Sequence, residues 1–98
     1  MYELRFHPQV DKELGDLPKL ARQATKKIHF PKIASSPFEA SKPLSGPRRK
    51  FRKYVFSHKG VSYRIVYEID RDVEVVYVLM VGKREGFYER LKRRVKGG

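Results

Sequence analysis

Between Lys50 and Val81 the chain runs through three apolar-polar alternating stretches separated by two tight turns. The stretches Lys50–Ser57, Val61–Ile69 and Val73–Val81 are joined by His58-Lys59-Gly60 and Asp70-Arg71-Asp72. Connections that short leave room only for antiparallel neighbours, so a three-stranded meander is expected. Strand parity then sorts the side chains. Tyr63, Ile65, Tyr67 and Ile69 share the face expected to meet the core, and Arg64, Val66 and Glu68 share the other. In the preceding strand Phe51 and Val55 fall on one face, and Lys50, Arg52, Tyr54 and Phe56 on its opposite.

Upstream, Tyr2, Leu4 and Phe6 alternate with Glu3 and Arg5, as in a half-buried strand. Val10 and Leu14 lie one helical turn apart, Gly15 is expected to end that helix, and Pro18 to open the next. Leu17, Leu20, Ala21, Ala24 and Ile28 keep helical spacing, so they form the expected apolar stripe; Pro31 should break or kink the helix. Residues 35–47 carry three prolines and four serines and read as an irregular connection. Residues 85–95 read as a closing basic helix with the stripe Phe87, Leu91 and Val95. The order β-α-α-β-β-β-α defines an α+β domain: a helical hairpin on one face of an antiparallel sheet, the other face less covered. Its 98 residues suffice for one domain, 1–98, and no more.

Lys plus Arg number 23 against 11 acidic residues, a net charge of +12. Such a field favours a polyanionic partner: nucleic acid, an acidic protein segment or anionic lipid. The absence of cysteine excludes disulfides and thiolate metal sites. No apolar run approaches the ~20 residues that span a bilayer, and the N-terminus lacks the basic-then-apolar order of a signal peptide. A cytoplasmic protein without membrane contact is therefore expected. His7, His29 and His58 share no metal-ligand spacing.

A few cations fall on strands or at strand ends. Lys50, Arg52 and Arg64 on one sheet face, bordered by Lys83, Arg84 and Tyr88, would make a phosphate cradle with an aromatic edge. Guanidinium forks match phosphate oxygens, and a tyrosine ring stacks on an unstacked base. Lys53 and Tyr54 fall within the same stretch and join Lys50 and Lys83 as expected RNA contacts. The competing reading is an ion pair of Arg64 with Glu68 on its own face. Charge runs such as Lys92-Arg93-Arg94 are usually solvated helix faces, whereas Lys26-Lys27 and Arg48-Arg49-Lys50, each a weak signal alone, point with the charge of +12 to nucleic-acid contact. His58 is expected in an exposed turn, and Gly82 is expected to let its strand end or bend.

With SYRIVYEI at Ser62–Ile69 and VGKRE at Val81–Glu85 followed by Tyr88, the chain resembles the RelE/ParE superfamily of toxin–antitoxin toxins. The resemblance spans nearly the whole chain in element order, and VGKRE is typical of the RelE-like mRNA interferase branch. It implies a microbial-ribonuclease-like α+β fold and endonucleolytic cleavage of mRNA on the ribosome, inhibiting translation as part of a stress response. No metal or other cofactor is implied. The implied partners are a cognate antitoxin that wraps the toxin, mRNA on the ribosome, and operator DNA only through the antitoxin complex. Carried over by residue, Arg64 would hold the scissile phosphate, Arg84 would aid the leaving oxygen and Tyr88 would stack on the substrate. The family's paired lysines meet either Arg52 and Tyr54 or Lys50 and Arg52. Arg52 is thus a further catalytic candidate, and the general base stays unassigned. Because arginine holds its proton at neutral pH, charge stabilisation suits Arg84 better than acid catalysis. Two alternatives use the same fold: a ParE-like inhibitor of DNA gyrase, and a non-catalytic RNA-binding domain.

Overall fold

A computed structural model describes residues 1–97. It contains β1 (Glu3–Phe6), α1 (Val10–Asp16), α2 (Lys19–Ala24), a wide π-helical turn (Thr25–His29) and α3 (Phe30–Ser35). After these come β2 (Lys42–Pro43), a 3-10 turn (Gly46–Arg48), β3 (Phe51–His58), β4 (Val61–Asp70), β5 (Val75–Lys83) and α4 (Phe87–Gly97). β3, β4 and β5 form the antiparallel meander that their short turns require. Residue pairing further extends this sheet at both edges. The two-residue β2, inside the segment read as irregular, pairs antiparallel with β3. β1 runs parallel to β5, giving the order β1-β5-β4-β3-β2. A parallel pair needs a long crossover, and the intervening helices and strands supply it.

The third long strand starts at Val75 rather than Val73. The Asp70 carboxylate accepts from the N–H groups of Asp72 and Val73, at 3.1 and 3.4 Å, and Glu74 has a φ of 54°. That turn leaves Val73 exposed. Between Val66 and Tyr67 the β4–β5 register slips, so that Val66 faces Met80 and Tyr67 faces Val78, with Leu79 as the extra residue. A bulge reverses parity along one strand only. Val78 and Val81 consequently share the helix-side core, while Met80 turns to the other face.

Pro31 does not break its helix. With no N–H it cannot make the usual bond, and the helix widens by one residue, so that Phe30 N–H donates to Thr25 O. From this turn onward the extra residue rotates the buried stripe. Leu17, Ala21, Thr25, Phe30 and Ile33 are buried, whereas Leu20 and Ile28, expected within the stripe, are exposed. Gly15 lies inside α1, and the corner falls at Leu17-Pro18.

Two cores result. Val10, Leu14, Leu17, Ala21, Phe30 and Ile33 from the hairpin pack against Tyr54, Phe56, Tyr63, Ile65 and Tyr67. On the opposite face Phe87 and Leu91 of α4 cover Leu44, Phe51, Val66 and Met80. Each of these fully buried side chains contributes roughly 1.5–3 kcal/mol of burial. α4 covers only part of that face, and Val55 stays half exposed beside it.

Beyond Val78 the outer edge of β5 has no strand partner, and side chains take over. Glu13 accepts from Val81 N–H at 3.0 Å, and Arg94 donates to Leu79 O at 2.9 Å. Glu13 and Arg94 also pair at 2.7 Å, both largely buried. Arg90 reaches Lys83 O at 3.3 Å. These contacts fasten α1 and α4 to one sheet edge. Among the described residues no helix is long and apolar enough to cross a membrane.

Candidate functional site

Arg64 projects from the middle of β4 onto the face that α4 only partly covers. Its cross-strand partners are Val55 on β3 and Gly82 on β5. Arg64 Nη1 donates to the Tyr88 hydroxyl at 2.6 Å, and the guanidinium lies 5.3 Å from the Tyr88 ring centroid. Its Nε is shut away from solvent with no partner. Glu68 does not neutralise it: among the described residues the ion pairs are Arg5–Glu3 and Arg94–Glu13. An arginine held by a neutral phenol keeps its full charge available to an anion.

Tyr88 stands in the first turn of α4 and is 42% exposed. Phe87 beside it is buried and meets the Tyr88 ring edge-on at 5.7 Å, which sets the ring's orientation. Gly82 has a different purpose from the one expected. β5 continues through it to Lys83, and a Cβ there would lie 3.0 Å from Arg90 Nη2 and 3.7 Å from the Phe87 ring. The glycine lets α4 cross close to the sheet. Arg84 N–H donates to Ser62 O at 3.3 Å, extending the β4–β5 ladder by one rung. Arg84 itself lies in a bend one residue past the end of β5, opposite Ser62.

Four expected residues are placed elsewhere. Arg52 is paired with Tyr67, on the opposite face from Arg64. Its guanidinium is occupied: it donates to Ser41 Oγ at 2.7 Å and to Phe38 O and Ser41 O at 3.1 Å. It braces the loop before β2 rather than a substrate. Tyr54 is 4% exposed, and its hydroxyl lies 2.7 Å from His29 Nδ1. Burial raises the Tyr54 pKa. Lys50 precedes β3, in a turn, with its ammonium 5.1 Å from the Phe51 ring. Lys83 is paired with core-facing Tyr63 and lines a hollow with Glu13 and Asp16. The expectation that Lys50, Arg52 and Tyr54 lie beside Arg64 failed because β3 pairs with β4 one residue out of that alignment.

Lys53 is the β3 cation on the Arg64 face, paired with Val66. With Arg48, Tyr88 and Pro43–Ser45 it lines a hollow of about 380 Å³. Arg48 belonged to a charge run that is a weak nucleic-acid signal by itself; the 3-10 turn brings it here. His58, at the end of β3, shares parity with Phe56 and so faces the hairpin side; its Nε2 is enclosed without a partner rather than exposed. His29 stacks on Phe56 at 4.0 Å, and burial, then Lys32 and His58, lower its pKa. Among the described residues no group of three or more His, Cys, Asp or Glu could hold a metal.

An α+β domain with an open cationic sheet face and an arginine–tyrosine pair fits the toxins of bacterial toxin–antitoxin modules. Residues 4–88 match the family model described as ParE toxin of type II toxin-antitoxin system, parDE. The chain belongs to this family, within the RelE/ParE toxin superfamily, and is a type II toxin. It is 29% identical over 89 residues to Toxin RelG of Mycobacterium tuberculosis, covering 91% of this chain and 98% of the relative. The toxin–antitoxin complex RelBE2 of M. tuberculosis contains a chain of similar fold, with TM-score 0.71 and 26% identity over 85% of this chain and 98% of that one. A chain of the intact E. coli RelBE complex gives TM-score 0.69 and 32% identity over 87% of this chain and 99% of that one.

Proposed function

We propose that this toxin is a metal-independent endoribonuclease that cuts mRNA on the ribosome and so halts translation. The observation that carries the reading is Arg64, charged and unneutralised, hydrogen-bonded to a half-exposed tyrosine on an open basic face. In the reaction the RNA's own 2′-hydroxyl attacks the adjacent phosphorus, its proton is lost, and the 5′-oxygen leaves with a proton. Arg64 stabilises the negative charge that builds on the phosphoryl oxygens. Tyr88 stacks on a neighbouring base and fixes the angle of the guanidinium. Arg84, one residue past the end of β5, offsets charge on the leaving oxygen. Positioning by the ribosome is expected to supply much of the rate.

The partner expected to silence the toxin is a cognate antitoxin. Relatives were crystallised as RelBE toxin–antitoxin complexes, and a charge of +12 favours an acidic wrapping chain. Operator DNA would be met only through that complex.

A second reading is favoured by the family model itself, which describes ParE toxins: inhibition of DNA gyrase. Two assays separate the readings. Purified protein is added to programmed ribosomes, with mRNA cuts mapped by primer extension, and to a gyrase supercoiling reaction. Ribosome-dependent scission that Arg64→Ala lowers by about 10²–10³ is the expected result. Loss of supercoiling with intact mRNA would move the protein to the gyrase class.

A further inference from the structure

Resting on the nucleic-acid reading above, we propose that Lys42, Arg48 and Lys53 form a second phosphate subsite, which receives the RNA phosphate next to the one held by Arg64. Lys42 and Lys53 are direct cross-strand partners on β2 and β3. Like charges facing each other across two strands are destabilising. Among the described residues neither has an acid within ion-pair distance. An unrelieved pair of this kind is stabilised by an anion between its members.

Lys53 is the shared wall of two adjoining hollows. One, of about 380 Å³, holds Arg48 and reaches Tyr88. The other, of about 360 Å³, holds Lys42, with Glu39 on its lining. Hollows of a few hundred cubic ångströms match small ligands the size of one nucleotide. The track therefore starts at the Arg64–Tyr88 pair, passes between Arg48 and Lys53, and ends where the Glu39 carboxylate repels further phosphate.

The frame is set before any ligand arrives. Leu44 is buried against Phe51 and Phe87, and its N–H donates to Phe51 O at 2.9 Å, which fixes the β2 side. Arg48 is presented by a turn with Gly46 at φ +66°, Pro47 in its first positions and Arg49 N–H bonded to Gly46 O. The backbone that carries these side chains therefore loses little conformational entropy on binding.

The test is the salt dependence of RNA binding, followed by fluorescence anisotropy with a labelled dinucleotide and a labelled pentanucleotide. Each phosphate neutralised on a single strand adds about 0.7 to the slope of log affinity against log salt. The Lys42→Ala/Arg48→Ala double variant is expected to lose about 0.7 from that slope on the pentanucleotide. On the dinucleotide, whose single phosphate goes to Arg64, it should match the unaltered protein. Arg49→Ala/Arg93→Ala removes the same charge from exposed positions outside both hollows and should retain the full slope. Matching thermal melts establish that each variant is folded, and Lys53→Gln offers an independent second variant. Equal slopes for the two double variants would overturn the subsite. An unchanged RNA slope with weakened binding of poly-glutamate would assign the cluster to an acidic protein segment and overturn it as well. If the unaltered protein bound neither RNA, the nucleic-acid reading itself would fall, an outcome distinct from failure of the subsite alone.

Discussion

Arg64 and Tyr88, 24 residues apart in the chain, are joined by a 2.6 Å hydrogen bond in which the guanidinium donates to the phenol. The bond ties the centre of the sheet to the first turn of α4. It also forces the two groups expected to meet RNA, one cationic and one aromatic, to share a single orientation. Removing either partner should therefore affect more than one contact.

Arg64→Ala should lower ribosome-dependent cleavage by about 10²–10³ in kcat, the usual cost of removing one donor to a developing oxyanion. Tyr88→Phe keeps the ring and removes only the hydrogen bond. A loss of about tenfold is expected, consistent with one hydrogen bond to a charged group. Single-turnover cleavage on saturated ribosomes measures both, and equal losses would mean that Arg64 acts only while the Tyr88 hydroxyl holds it.

Arg52→Ala should behave as a stability variant. It strips partners from Ser41 Oγ and from the Phe38 and Ser41 carbonyls. Unpaired polar groups cost about 1–3 kcal/mol, visible as a lower urea midpoint with an unchanged m-value. Affinity of the folded variant for short RNA should be unaffected. Selective loss of that affinity would restore Arg52 to the binding site.

Glu13→Ala leaves Arg94 charged and largely buried, and leaves Val81 N–H without its acceptor. Breaking a buried pair from one side costs about 3–5 kcal/mol. For a domain with total stability of roughly 5–15 kcal/mol that is a large share, so cooperative unfolding should shift sharply. Fluorescence of the native tyrosines during urea titration gives the measurement.

His29 is held below its ordinary value of 6.5, chiefly by burial and then by Lys32 and His58. The unfolded chain therefore takes up this proton at a higher pH than the folded one. Its contribution to stability is complete above pH 6.5 and is lost as pH falls below it toward the depressed folded value. Urea midpoints taken from neutral to mildly acidic pH should fall in this window. His29→Phe, which keeps the stacking on Phe56, should flatten part of the slope; an unaltered slope would remove His29 from the account.

The meander, the helical hairpin and α4 with its stripe of Phe87, Leu91 and Val95 were legible in the sequence, because each depends on a local period or a short turn. SYRIVYEI and the tyrosine after VGKRE singled out Arg64 and Tyr88, and the structure joins those two by a hydrogen bond. Local pattern did not extend to Arg52, Tyr54, Lys50 and Lys83. Which face a β3 residue occupies relative to Arg64 depends on the pairing of two strands, and the sequence of either strand is compatible with a shift of one residue. A one-residue difference moves every side chain to the other face. The same holds for Pro31, where a π turn added a residue and carried Ile28 out of the buried stripe.

By itself, then, the sequence determined an α+β chain with a strongly basic surface and an arginine in the middle strand of its meander. The tertiary structure alone decided which cations stand together. Lys53 pairs with Lys42, and Arg48 arrives on a 3-10 turn. Arg52 is taken up by carbonyls of a loop that wraps the far face. These placements arise from contacts between segments distant in the chain, where register, bulge and loop path are fixed by packing the whole domain at once.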